Sequence, residues 1–223
     1  MALFGPLHLA ILAVTLLTSA GLAWTARESA AAGRIARLVL GASLAVNELI
    51  WYGYRYSQEG FRFPEGLPLE LCDVAVWVTV FACLSRSVVA SELVYFAGLG
   101  GAAMAMLTPD LWAPCPSYPT IYFFVAHGAV IAAISLLVFG RLVTLRRGCV
   151  LRVFGLANLY VIAVAAFDWF FRTNYLYLRE KPANASLLDV FGPWPLYIFV
   201  AEAFALALFG IMWLPVRRFA QDS

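Results

Sequence analysis

Seven apolar runs, each about 18–22 residues long, constrain this chain more than any other feature. They cover residues 6–24, 34–54, 67–84, 90–107, 119–140, 150–171 and 194–214. A helix rises about 1.5 Å per residue, so runs of this length match a hydrocarbon layer of roughly 30 Å. Composition agrees. Of the 223 residues, 63% are hydrophobic and 13% charged, against about a quarter charged in soluble domains. The expectation is an all-α polytopic membrane protein, residues 1–223 forming one bundle of seven transmembrane helices. The first run carries a cleavable-looking Thr18-Ser19-Ala20, but no basic residue precedes its apolar core, so it reads as a span. The run 90–107 holds Ser91, Glu92, Gly98, Gly100 and Gly101, small residues suited to close helix packing rather than to a hinge.

Lys and Arg set the orientation. With seven spans and an outside N-terminus, ten of the 15 basic residues fall on the inner side: Arg27, Arg34, Arg37, Arg86, Arg141, Arg146, Arg147, Arg152, Arg217 and Arg218. Arg55, Arg62, Arg172, Arg179 and Lys181 fall outside. The expected topology is N-terminus out, C-terminus in. A formal charge of +2, with basic residues lying between apolar runs, gives no footprint for nucleic acid. Four cysteines without CxxC spacing and two histidines give neither a zinc site nor a disulfide framework, and no cofactor is expected. Two outer loops are long, Arg55–Gly66 and Arg172–Pro193; their Tyr and Trp suit the bilayer interface. Asn184-Ala185-Ser186 matches a glycosylation sequon and carries little weight alone.

The polar residues of the spans are not spread evenly in depth. Asn47 and Glu48 close the second span on the outer side, and Glu70, Cys72 and Asp73 open the third there. His127, Glu202, Asp168 and His8 also fall in the outer half, Asn158 near mid-depth, and Glu92 on the inner side. A charge in hydrocarbon costs a few kcal/mol or more, so such groups face an interior and usually work. The pattern predicts a polar cavity open toward the outer leaflet.

Within that layer Leu67-Pro68-Leu69-Glu70-Leu71-Cys72-Asp73 puts a thiol between two carboxylates. Pro68 suits a first helical turn, which would set Cys72 about one turn in. Taken alone, this stretch favours Cys72 as a small apolar filler. Cys72 four residues past Pro68 and His127 eight past Pro119 lie about 6 and 12 Å down their helices, a gap ordinary tilt can close. Thiol and imidazole at similar depth form a possible nucleophile and base. The competing reading of His127 is a core histidine bonded to a carbonyl or to Glu202. Glu202, Glu48 or Asn158 can orient the imidazole, and Asn174, Tyr175 or Trp194 can donate to a substrate carbonyl oxygen. Several residues compete for each role.

Leu67-Pro68-Leu69-Glu70-Leu71-Cys72, His127-Gly128 and Asn174-Tyr175…Lys181-Pro182…Gly192-Pro193-Trp194-Pro195 resemble the YwaF-like bacterial integral membrane proteins, over most of the chain. That family is similar to a eukaryotic multispan phospholipid acyltransferase using cysteine and histidine. More distantly it resembles the androgen-induced fatty-acid-ester hydrolases, where threonine replaces cysteine. The resemblance implies a bacterial cytoplasmic membrane, a phospholipid or fatty-acyl substrate, Cys72 as the acylated residue and His127 as its partner. Of the site residues it carries over these two.

The reading is therefore a lipid acyltransferase, or an acyl-ester hydrolase, working through a Cys72 thioester with His127 as acid and base. Glu48, Glu70, Asp73, Asn158, Asn174, Tyr175, Trp194 and Glu202 stand as supporting or substrate-binding candidates, with no metal. The rivals are a small-solute transporter or channel using the outer polar cluster, and a ligand-sensing membrane protein without catalysis. A transporter usually needs polar residues reaching both faces and often has repeats, whereas this chain has an outer cluster and no repeat in its sequence. A homo-oligomer is compatible with every one of these readings.

Overall fold

The computed structural model describes residues 2–111, 113–182 and 186–221; Asn184 and Ala185 of the sequon lie outside them. The described residues form seven principal helices: α1 (Pro6–Glu28), α2 (Ala30–Glu59), α3 (Leu71–Ser85), α4 (Val88–Leu107), α5 (Tyr118–Phe139), α6 (Cys149–Phe171) and α7 (Leu196–Trp213). No strand occurs among them. Six are long and apolar enough to cross a membrane, and α3 is a shorter apolar helix of 15 residues. All seven coincide with the apolar runs.

Local chemistry sets the helix ends. Pro6 starts α1 and Pro119 lies in the first turn of α5, where a missing N–H goes unnoticed. Ser29 is the whole joint between α1 and α2: its N–H bonds the Thr25 carbonyl, and its side chain accepts from Ala32 N–H at 3.2 Å. Gly60 and Gly148, at φ 69° and 75°, close α2 and open α6 in backbone that favours glycine. Two boundaries differ from expectation. Helix α2 runs on to Glu59, with Arg55 and Glu59 paired at 3.9 Å on its last turn. Helix α3 begins at Leu71 with Glu70 as its N-cap, so Pro68 lies outside it and Cys72 is its second residue.

Helix α5 is the hub, packing against α1, α2, α3 and α4, and two thirds of its most apolar window is buried. Helix α6 packs on α4 and α7, and only 11% of its most apolar window is buried. At Gly41 a Cβ would stand 2.9 Å from that of Cys83, so glycine sets how closely α2 meets α3 and Cys83 is packing. Helices α4 and α5 each contain one π-helical turn, Val94–Gly98 and Ser135–Phe139. Gly98 sits in the first, and a Cβ there would touch Ile134 and Ala75 at 3.5 and 3.7 Å, which is close packing rather than a hinge.

Glu92 ties down the other end of the bundle. It is fully buried in α4 and accepts from Arg146 N–H at 3.0 Å, from both the Nε and Nη2 groups of Arg146 at 3.2 Å, and from Arg152 Nη1 at 2.7 Å. Its four accepted bonds join α4, the α5–α6 loop and α6.

Candidate functional site

The polar layer gathers where α2 ends and α3 and α5 begin. Glu48 of α2 is fully buried, and its Oε2 accepts from the Tyr122 hydroxyl at 2.6 Å. Its other oxygen has no hydrogen-bond partner. The Tyr52 hydroxyl, which accepts from Trp77 Nε1 at 2.9 Å, lies beside the same carboxyl group. Asp73 lies within electrostatic reach of Glu48, Glu70 and Arg55. Trp51 stacks on Tyr122 with ring centroids 4.3 Å apart, closing the cluster toward α2.

Cys72 stands at the rim of this cluster. It is open to the exterior on one side, with protein on the others; Asp73 and Glu70 flank it, and Tyr122 and Tyr177 lie within electrostatic reach. Of the other cysteines, Cys83 and Cys149 are buried and Cys115 is intermediate.

His127 occupies a half-buried position on α5. Its Nδ1 lies 2.7 Å from the Phe123 carbonyl oxygen. A carbonyl only accepts, so Nδ1 carries a proton, and in the neutral imidazole Nε2 then keeps its lone pair. No hydrogen bond is described at Nε2. His8 is different: Nδ1 accepts from Phe4 N–H at 3.0 Å and Nε2 bonds the Met106 carbonyl at 2.8 Å, so both nitrogens are used structurally.

No hydrogen bond or charge interaction joins Cys72 to His127 among the described residues. The later start of α3 puts Cys72 at the helix mouth, electrostatically coupled to Tyr122. His127 is five residues beyond Tyr122, about 7.5 Å along the axis. Helical side chains lean back toward their N-terminus, and the bond to the Phe123 carbonyl holds the imidazole in that direction.

The supporting candidates divide. Glu48, Glu70 and Asp73 belong to the rim cluster. Glu70 lies ahead of α3, and its Oε2 accepts from Leu176 N–H at 3.3 Å. Burial holds its carboxyl above the usual carboxylate range, the Leu176 N–H opposes that, and nearby Asp168 adds to it. Asn158 and Glu202 bond each other at 2.8 Å and join α6 to α7. The expected imidazole orienters are thus occupied elsewhere, and a backbone carbonyl holds the ring instead. The three expected oxyanion donors are also engaged. Asn174 folds its own loop, accepting from the N–H groups of Arg179 and Glu180 and donating to the Glu180 carbonyl. Tyr175 donates to the Pro64 carbonyl at 2.8 Å, and Trp194 to the Leu178 carbonyl at 3.1 Å.

Residues overlooked in the sequence are Tyr52, Trp77 and Tyr122; Asp168 has its place in the outer half but no role assigned there. Asp168 is fully buried and accepts from Thr173 Oγ1 at 2.6 Å and Tyr175 N–H at 3.0 Å, fixing the loop over the cluster. Helical spacing was the available signal: Tyr52 follows Glu48 by four, and Trp77 follows Asp73 by four.

The TMEM164 family matches residues 3–213, nearly the whole chain. No curated protein and no solved structure matches it.

Proposed function

The chain belongs to the TMEM164 family, and on that premise we propose that it is a membrane-embedded acyl-transfer enzyme with Cys72 as nucleophile and His127 as base. The observation that carries this reading is the fixed tautomer of His127. With Nδ1–H committed to the Phe123 carbonyl, Nε2 is the free proton acceptor that a general base needs. An accessible thiol at the mouth of α3 supplies the second element, and the resemblance to the cysteine/histidine phospholipid acyltransferase supplies the substrate class.

In this scheme Cys72 sulfur bonds the ester carbonyl as its proton passes to His127 Nε2. The C–O bond breaks, and the departing alkoxide takes that proton. An acceptor hydroxyl then gives its proton to Nε2 and attacks the thioester, and the C–S bond breaks as the thiol is restored. Carboxyl groups beside the sulfur would repel a standing thiolate, so proton removal accompanies attack. Water as acceptor makes the same site a hydrolase. With the N-terminus outside, as the distribution of Lys and Arg predicts, the rim would face the outer leaflet, where a phospholipid ester would reach Cys72 laterally. Productive contact requires His127 and the mouth of α3 to close the remaining axial offset once lipid is bound.

The test uses the full chain in detergent with an acyl-labelled phospholipid. Label should appear on Cys72, release with neutral hydroxylamine, and vanish in Cys72→Ser. His127→Ala should retain the fold and slow labelling by about 10²-fold or more. Label that persists on Cys72→Ser, or labelling indifferent to His127, excludes the mechanism.

A further inference from the structure

The opposite end of the bundle, where α1, α5 and α7 stop, holds a cavity of about 230 Å³. Arg27, in the last turn of α1, and Arg141, just beyond α5, line it together with Phe219 from the turn after α7. Arg27 Nε donates to the Phe139 carbonyl at 2.6 Å, which pins the guanidinium at the rim and leaves its terminal amino groups without a described partner. The Arg141 guanidinium lies 4.7 Å from the Phe219 ring centroid, and that of Arg218 lies 5.2 Å from the same ring. One aromatic ring thus collects two cations while a third lines the same hollow.

Nothing described neutralises them. Among the described residues, Arg27, Arg141 and Arg218 take part in none of the ion pairs and no carboxylate lines the cavity. Glu28, next to Arg27, is exposed and does not line it. Contrast Arg146 and Arg152 nearby, which share the buried Glu92. Val138, Leu145 and Val216 make much of the remaining wall apolar. A site with forked cationic donors on one side and hydrocarbon on the other, at the level where the spans end, has the polarity profile of a phospholipid seen at its phosphate.

We propose that this cavity binds the phosphate of an anionic phospholipid, Arg27 and Arg141 holding its oxygens, Arg218 adding charge, and the apolar wall receiving the glycerol and first methylenes. Three cations disfavour a headgroup that carries its own ammonium, so an anionic lipid is preferred over a zwitterionic one. A soluble phosphate would satisfy the arginines and leave the apolar wall unused. The site lies at the other end of the bundle from Cys72 and stands or falls apart from the acyl-transfer reading.

The test titrates the purified full chain in detergent with phosphatidylglycerol, phosphatidylcholine and inorganic phosphate, reading bound lipid by native mass spectrometry. The variant is Arg141→Gly with Arg218→Ala. Arg141 has φ 60°, a conformation glycine accepts without strain, so the substitution removes charge while suiting the backbone. The control, Arg34→Ala with Arg217→Ala, removes two exposed charges that neither line the cavity nor stack on Phe219. Phosphatidylglycerol should bind roughly tenfold more tightly than phosphatidylcholine, the cavity variant should lose roughly tenfold, and the control less than about twofold. Equal losses in the two double variants would reduce the effect to diffuse surface charge and overturn the site. Inorganic phosphate binding as tightly as the lipid would overturn the lipid assignment. An unchanged thermal transition in the cavity variant separates lost binding from lost fold.

Discussion

Tyr122 holds one oxygen of the buried Glu48 carboxyl group at 2.6 Å, while the other oxygen has no hydrogen-bond partner. One phenol therefore supplies the short hydrogen bond to a carboxyl group inside the bundle, with the Tyr52 hydroxyl beside it. Such a group is worth more to its donor than an exposed one, because water cannot step in when the donor is lost.

Tyr122→Phe should accordingly destabilise the protein by about 1–3 kcal/mol, or several degrees at roughly 2–4 °C per kcal/mol for a chain of this size. Glu48→Gln in the Tyr122→Phe background should recover part of the loss, since a neutral amide is easier to bury than a charge. Thermal unfolding in detergent measures both. An unchanged transition in Tyr122→Phe would mean that water or Tyr52 already satisfies Glu48.

Glu70 makes stability depend on pH in a fixed direction. Burial raises its carboxyl above the ordinary value of 4.5. Folding then favours the neutral form, so its contribution is fully present below 4.5 and declines as pH rises from there through the folded-state value. Glu70→Gln should remove that decline. The stability difference between wild type and variant, followed from pH 4 upward by denaturant unfolding, should shift toward the variant. A difference that is flat, or of opposite slope, contradicts the burial argument.

Glu92 and its arginines predict an order of effects rather than one number. Arg146 and Arg152 are about 30% exposed and can turn toward headgroups when Glu92 is lost. Glu92 is fully buried and cannot escape. Replacing both arginines by Met should therefore cost about 3–5 kcal/mol, and Glu92→Met less. The reverse order in thermal unfolding would show that the arginines, not the carboxylate, are the trapped partners.

Cysteine accessibility gives a direct check on the α3 start. A small membrane-permeant maleimide should label Cys72 and Cys115 at least roughly tenfold faster than the buried Cys83 and Cys149. Peptide mapping reads the order. Cys83 or Cys149 reacting alongside Cys72 would mean that α3 and α6 are not packed as described.

How much of this was legible without coordinates depends on the kind of signal. The spans were, because an apolar run of 18 or more residues has few alternatives to a crossing. The start of α3 was not: Leu67 and Leu69 are as apolar as the helix that follows, yet Glu70 rather than Pro68 marks its first turn. The extension of α2 past Tyr54 was hidden by its polarity, Arg55 and Glu59 reading as loop although their spacing is helical. In the polar layer the residues could be named but not paired. Tyr122 carried no signal of its own, and Asn174, Tyr175 and Trp194 looked like free donors; only coordinates reveal that backbone carbonyls already engage all three.

The π-helical turns in α4 and α5 give those rods a spare residue. Each turn packs one more residue into its rise than an α-turn holds, so a single deletion there can be absorbed as ordinary helix. Closing the π-turn in this way leaves the helix beyond it close to its former phase, because the turn with its surplus residue and the α-turn without it complete nearly the same arc. A deletion in the plain α-helical part would instead rotate everything beyond it by about 100°. In α4 that swing would carry away Met106, whose carbonyl secures His8 of α1, and in α5 it would swing Arg141 off the ring of Phe219. The surplus residue is thus slack: each rod has one short stretch where its length can change while its far end keeps facing the same neighbours.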